Sequence, residues 1–288
     1  MSAPRISFEF FPPQSLDASF KLWETVQVLA PMAPNFVSVT YGAGGTTRKL
    51  THDAVATIKR NYGLNVAAHL TCVDATRAET LEIAAAYAEA GVTEIVALRG
   101  DAPKGAARFT PHPDGFANSV ELVAALAKTG KFKLRVGAYP EAHPDAADRF
   151  ADVTWLKRKI DAGASSAITQ FFFEADTFFR FRDACVKAGI AAPIIPGILP
   201  IQSWEGTKKF AARCGASIPY RLDEGFAAAK RDGREELLAL TQCSSLCSRL
   251  IEGGVEDLHF YTLNRPELTR DVVRALGIVP EVALEKVA

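Results

Sequence analysis

The stretch SFEFFPP, residues 7–13, places one carboxylate, Glu9, among three phenylalanines in a run of strand character closed by Pro12 and Pro13. A lone Glu in such a run is ordinarily an outward-facing strand residue. Desolvated among apolar groups, it would instead favour its neutral form and could deliver a proton near neutral pH. Other residues able to do chemistry recur along the chain. Thr40 and Tyr41 precede GAGG (42–45), His69 and Thr71 share one apolar run, and LRGD covers 98–101. YPEAHP covers 139–144, Gln170 lies inside ITQFFF, and YTLNR covers 261–265. Each piece also has a plain reading. GAGG lacks the third glycine of a dinucleotide fingerprint, Thr47 standing there, so it is equally a flexible turn. His69 suits a satisfied core histidine, whereas His143 in a proline-flanked loop is the better functional candidate. Arg99 and Asp101 could pair with charges across a shared opening. Lys157, Arg158 and Lys159 would on average be a solvated helix face, but their helix follows the YPEAHP loop closely enough to hold a diphosphate.

Positioning such residues together requires a repeating scaffold, and the chain has one. Strand-like runs occupy 6–11, 36–41, 66–71, 94–99, 134–139, 167–173, 194–199 and 257–263, most of them separated by segments of helical periodicity. In AETLEIAAAYAEAGV, Leu81, Ala84, Ala85 and Ala88 follow the i, i+3, i+4, i+7 pattern before Gly91 ends the helix. Strand starts fall 30, 30, 28, 40, 33, 27 and 63 residues apart, and the first six intervals suit βα units. The last interval holds an extra helical pair, about 204–213 and 223–252. Eight such units predict an α/β fold, a (β/α)8 TIM barrel with extra helices between strands seven and eight, as one catalytic domain over 1–288. A doubly wound sheet would show a phosphate loop after its first strand, where this chain has FFPP. In a barrel, function gathers at the C-terminal strand ends, and seven of the eight runs carry polar groups there.

Composition narrows the classes. Lys+Arg and Asp+Glu are 33 each in 288 residues, so no net field points to nucleic acid or an anionic membrane. The most apolar window, IAAPIIPGILPI, is short and broken by prolines, which predicts no membrane span. The N-terminal residues lack the apolar core of a signal peptide, and five cysteines without framework spacing read as buried thiols, both pointing to the cytoplasm. Nothing has metal-ligand spacing or the surroundings of a serine nucleophile.

Nine motifs in order, SFEFFPP, FVSVTYGAGG, HLTC, ALRGD, YPE-x-HP, LKRKIDAGA, ITQFFF, IPGILP and HFYTLNR, span residues 7–265. Together they resemble the flavin-dependent 5,10-methylenetetrahydrofolate reductases of bacteria, in the short form without the regulatory domain of eukaryotic relatives. The resemblance implies an oxidoreductase of one-carbon metabolism and methionine supply. It holds FAD at the barrel mouth, takes hydride from NADH or NADPH, and passes it to methylenetetrahydrofolate in a ping-pong sequence to give 5-methyltetrahydrofolate. Glu9 matches the catalytic acid that opens the methylene bridge, and Asp101 the aspartate that tunes flavin potential and helps bind folate. The FAD positions that match are Thr40, Tyr41, Ala43, His69, Arg99, Gly100, Asp101, Ala117, Tyr139, His143, Ala146, Asp152, Arg158 and Lys159. Gln170 and Arg265 resemble folate contacts, Gln170 also reaching nicotinamide, and Phe210 is placed to stack on either ligand. Gly206 stands where some enterobacterial members carry a folate-touching glutamine; Gln202 is nearby. Arg265 would suit the anionic glutamate tail of folate. Barrel loops carry no acidic ribose-reading fingerprint, and family precedent favours NADH. The segment 223–252 offers a face for a homo-oligomer. A different flavin barrel, such as a proline dehydrogenase-like oxidase, and a folate- or flavin-binding module without activity are the competing readings.

Overall fold

The computed structural model of the chain describes residues 3–41, 48–101, 109–141, 143 and 149–280. Ala43 and Ala146, together with GAGG, lie outside the described residues. The strands are β1 (Arg5–Phe10), β2 (Phe36–Val39), β3 (Val66–Thr71), β4 (Glu94–Leu98), β5 (Lys133–Ala138), β6 (Ser166–Thr169), β7 (Ile194–Ile195), β8 (Gly197–Ile198) and β9 (Asp257–Tyr261). All pair in parallel, in the order β7-β6-β5-β4-β3-β2-β1-β9-β8. The two ends of that order are one chain passage. Pro196 has no N–H to give a ladder, so the predicted seventh strand is split there. Its first half pairs with β6 and its second with β9, and the Pro196 carbonyl still accepts from His259 N–H at 3.1 Å. The nine segments thus fill the eight positions of the expected (β/α)8 barrel.

Helices α1 (Leu16–Leu29), α2 (Arg48–Tyr62), α3 (Arg77–Glu89), α4 (Ser119–Lys128), α5 (Arg149–Asp161) and α6 (Ala175–Lys187) follow successive strands. Local chemistry sets their limits. Thr76 and Glu79 form a reciprocal capping box before α3, and Gly91 ends that unit at φ 78°, as its sequence predicts. After β8 come α7 (Trp204–Cys214), α8 (Tyr220–Arg231) and α9 (Glu235–Glu252), with α10 (Pro266–Ala275) after β9. The expected helix over 223–252 is therefore two, broken at Asp232 and Gly233, the latter at φ 64°. Helix α9 belongs to the outer ring, its Cys243, Leu246, Cys247 and Leu250 packing in one core with Val272 and Val273 of α10. Helices α7 and α8 instead cover the β6 and β8 ends, where Trp204 stacks on Phe226 at 4.5 Å within a cluster that includes Phe171 and Phe173. Among the described residues no helix is long and apolar enough to cross a membrane.

Strand alternation decides what surrounds Glu9. Ile6, Phe8 and Phe10 point out and pack with Leu22, Val26 and Leu29 of α1. Each phenylalanine buried there stabilises the ring by roughly 2–3 kcal/mol. Ser7 and Glu9 therefore point inward, and the walls around Glu9 are not phenylalanines.

Candidate active site

Parallel register brings inward residues of several strands to one end of the barrel. Ser7 lies opposite Phe36 and His259, and Glu9 opposite Ser38 and Tyr261. Glu9 Oε2 is 3.4 Å from His69 Nε2 and 3.8 Å from His259 Nε2, with the Glu9 side chain 15% exposed. Among the described residues neither Nε2 has a hydrogen-bond partner. Burial pushes the His69 imidazole down from its ordinary pKa, the Glu9 carboxylate opposing this and His259 adding to it. His69 thus faces the carboxyl group with its basicity lowered. Tyr261 closes the next side; burial, then the nearby Glu9 charge, raises its phenol, and its O–H donates to the Thr169 carbonyl at 2.6 Å.

The backbone exit of β1 is clamped from β9. Thr262 Oγ1 donates to the Glu9 carbonyl at 2.6 Å. Asn264 gives its amide N–H to the Phe11 carbonyl at 3.0 Å and accepts the Phe11 N–H at 2.9 Å. Leu263 and Asn264 both adopt φ 52°, the left-handed region that this turn requires. Ser7, His259, Tyr261, Thr262 and Asn264 were not singled out as site residues from the sequence. The signal was present as the two-residue period of S-F-E and H-F-Y, which puts Ser7, Glu9, His259 and Tyr261 on one face.

The remaining predicted residues ring the same opening, mostly one or two positions beyond a strand end. Thr40 N–H donates to the Phe10 carbonyl, and Tyr41 follows it, half-buried, its phenol raised by burial against the opposing effect of Arg48. Arg99 lies over the Phe109 ring at 5.1 Å. Gly100 has φ 86°, and a Cβ there would stand 2.3 Å from Val73 Cγ2, so this turn over β3 demands glycine. Asp101 is exposed, makes no ion pair among the described residues, and its charge is felt at Tyr139 and Cys214. Burial, then Asp101, pushes the Tyr139 phenol to about 12. Tyr139 meets the His143 ring edge-on at 4.5 Å, and His143 N–H donates to Asp152 Oδ2 at 2.9 Å. Gln170 lines a small cleft with Tyr139, Phe171 and Cys214, its side chain accepting from Phe171 N–H at 3.0 Å. Phe210 stacks on Phe171 at 5.1 Å. Arg265 caps α10 at the rim, and its carbonyl accepts from Gln202 Nε2 at 3.4 Å. Gly206 lies in the first turn of α7, and Ala117, exposed, lies just before the α4 cap.

The three basic residues of α5 do not form one face. Lys157 pairs with Asp161, and Arg158 lies 4.3 Å over the exposed Trp155 ring. Lys159 is turned inward and donates to the Gly137 carbonyl. Burial pushes the Lys159 ammonium down to about 8, Asp152 partly opposing it. Since the folded pKa lies below the unfolded one, the unfolded chain binds more protons between about 8 and the ordinary lysine value of 10.5. Lys159 therefore adds stability as pH rises through that window. The difference in urea-unfolding free energy between the natural chain and Lys159→Met should shift by roughly 3 kcal/mol in favour of the natural chain over that range. A difference independent of pH would show that the ammonium is not desolvated.

The geometry is that of a barrel mouth with an inward carboxyl between two imidazoles, a rim of phenols and cations, and an aromatic cover. The chain itself matches known proteins as follows. The family model described as "Methylenetetrahydrofolate reductase" matches residues 2–277. A 5,10-methylenetetrahydrofolate reductase of Salmonella typhimurium is 44% identical over 96% of this chain and 91% of its own length. Its namesake in Pectobacterium carotovorum is 43% identical over 96% of this chain and 92% of that protein. Among solved structures, an uncharacterized protein from Clostridium thermocellum, described as binding two copies of 5-methyl-5,6,7,8-tetrahydrofolic acid, superposes with a TM-score of 0.61 at 14% identity. That match covers 96% of each chain and bears on the fold alone.

Proposed function

The chain belongs to the methylenetetrahydrofolate reductase family and is an oxidoreductase of folate metabolism, and from this premise we propose that it uses FAD and a reduced nicotinamide in a ping-pong reaction. The observation that carries the reading is Glu9, the one inward carboxyl of β1, set at the mouth between His69 and His259. The residues present fit a flavin: among the described residues His69 Nε2 and Thr71 Oγ1 of β3 are buried polar atoms without hydrogen-bond partners, and the Arg99 and Arg158 guanidinium groups have the chemistry to hold phosphates. When bound, FAD supplies the reversible two-electron chemistry that links nicotinamide to folate.

The chain's own residues do the rest. Glu9 gives its proton to the folate nitrogen that leaves the methylene bridge, opening it to an electrophilic iminium on the substrate. His69, its basicity lowered by burial, and His259 both face the Glu9 carboxyl group. Asp101, exposed beside Tyr139, is placed to bind the pterin edge and to disfavour negative charge on a nearby reduced ring. Gln170, which lines a cleft with Tyr139 and Cys214, orients either substrate. Arg265 at the rim meets the anionic tail of folate, and Phe210 lies over Phe171 as the aromatic cover. The barrel is proposed to act as a single catalytic domain in the cytoplasm.

Steady-state rates of the FAD-loaded protein, with NADH or NADPH varied at several fixed methylenetetrahydrofolate concentrations, test this reading. Parallel double-reciprocal lines and formation of 5-methyltetrahydrofolate are expected. Intersecting lines would overturn the ping-pong order, and flavin reduction by proline but not by nicotinamide would overturn the substrate assignment.

A further inference from the structure

Beneath Glu9 the barrel encloses an ion pair that the proposed chemistry does not use. Glu94 and Arg135 meet at 2.6 Å with side chains 9% and 3% exposed. Asn65 holds the other Glu94 oxygen at 2.8 Å, and Ser166 Oγ accepts from the Arg135 guanidinium at 3.0 Å. Arg135 lies 3.8 Å over the centre of the Phe36 ring, and Phe36 stacks on His259 at 5.4 Å and 11°. The chain of contacts thus runs from a buried ion pair, through one aromatic ring, to an imidazole that faces Glu9. Resting on the reading of Glu9 as proton donor, we infer that Arg135 and Phe36 are positioning residues: they hold the His259 ring so that its Nε2 is presented to the Glu9 carboxyl.

The hydrogen bonds define what is being held. Ser7 Oγ donates to the Leu258 carbonyl at 3.2 Å, so at 2.8 Å it accepts from His259 Nδ1. Nδ1 thus carries a proton, and the opposite ring nitrogen, Nε2, lies 3.8 Å from Glu9 Oε2. One hydrogen bond fixes one point of the imidazole and leaves its plane free to turn about that axis. The plane is set by faces and edges: Phe36 stacks on it, and Tyr261 meets it edge-on at 5.4 Å. Phe36 is in turn held by the guanidinium plane, a contact strengthened by exclusion of water. The titratable groups facing His259 and Glu9 are His69 from β3, Tyr261 from β9 and, across Phe36, Glu94 from β4 with Arg135 from β5. An ion pair that only filled the barrel would affect stability without distinguishing one half-reaction from the other.

Phe36→Leu removes the ring and keeps apolar volume, and Phe36→Tyr restores the ring. The two half-reactions of the FAD-loaded proteins are measured separately, and histidine-selective NMR relaxation reads the mobility of the His259 ring. For Phe36→Leu, reduction by nicotinamide should stay within about twofold while reoxidation by methylenetetrahydrofolate falls about tenfold or more. Phe36→Tyr should recover most of that loss. The His259 ring signals, sharp in the natural chain, should be broadened by ring motion in Phe36→Leu. Should Phe36→Leu not fold, Arg135→Lys, which keeps the charge and loses the planar stack, carries the same expectation. Equal losses in both half-reactions, or His259 ring signals as sharp as in the natural chain, would overturn the inference. Failure of the natural chain to reoxidise with folate would instead overturn the Glu9 reading, with NMR still reporting on the stack.

Discussion

Glu9→Gln, loaded with FAD, should be reduced by nicotinamide at close to the natural rate, yet its reoxidation by methylenetetrahydrofolate should fall by about a thousandfold or more. The two half-reactions make unequal demands. Hydride transfer from nicotinamide needs no proton delivered to the donor, so an amide of the same shape between His69 and His259 leaves it intact. Opening the methylene bridge needs a proton on the departing nitrogen, and an amide cannot supply one. The substitution is nearly isosteric, and the backbone of residue 9 stays clamped by Thr262, so loss of fold does not account for the change. Rapid-mixing absorbance of the flavin separates the two steps. Equal slowing of both would place Glu9 in flavin binding rather than proton transfer.

Glu94→Ala should cost about 3–5 kcal/mol of stability, because it leaves the Arg135 guanidinium buried without its carboxylate. The contrast with Arg5 is instructive. Arg5 also pairs with a carboxylate at 2.6 Å, on Asp257, but its side chain is 55% exposed, so Arg5→Ala should cost only about 0–1 kcal/mol. Urea unfolding of both variants measures the difference. A double replacement by apolar residues of similar volume, Glu94→Leu with Arg135→Met, should recover much of the loss, since the penalty comes from an uncompensated charge rather than from missing attraction. Similar costs for Glu94→Ala and Arg5→Ala would mean that water reaches Arg135.

The scaffold was legible because each βα unit repeats a period that sequence displays directly. The seventh strand shows where that stops: Pro196 was visible, but its effect depends on two different neighbours, β6 before it and β9 after it, which only closure of the barrel reveals. The long helix expected over 223–252 continued through Asp232 and Gly233 because the apolar period resumes beyond them, and a left-handed glycine was needed to separate α8 from α9. At the site, residue types were readable and directions were not. Phe8 and Phe10 look like walls for Glu9 in the sequence, but strand alternation sends them to α1. The true neighbours, His69 and His259, lie 60 and 250 residues away along the chain, and only strand register brings them to Glu9. Lys157, Arg158 and Lys159 read as one basic group, yet helical geometry turns them in three directions.

The most direct test of the central claim is a single turnover divided in two. The FAD-loaded protein is reduced with one equivalent of NADH, freed of nicotinamide, and mixed with methylenetetrahydrofolate. Flavin absorbance should return with one 5-methyltetrahydrofolate formed per flavin, and Glu9→Gln should stall at this second step alone. A flavin that stays reduced, or reoxidises without that product, would contradict the account.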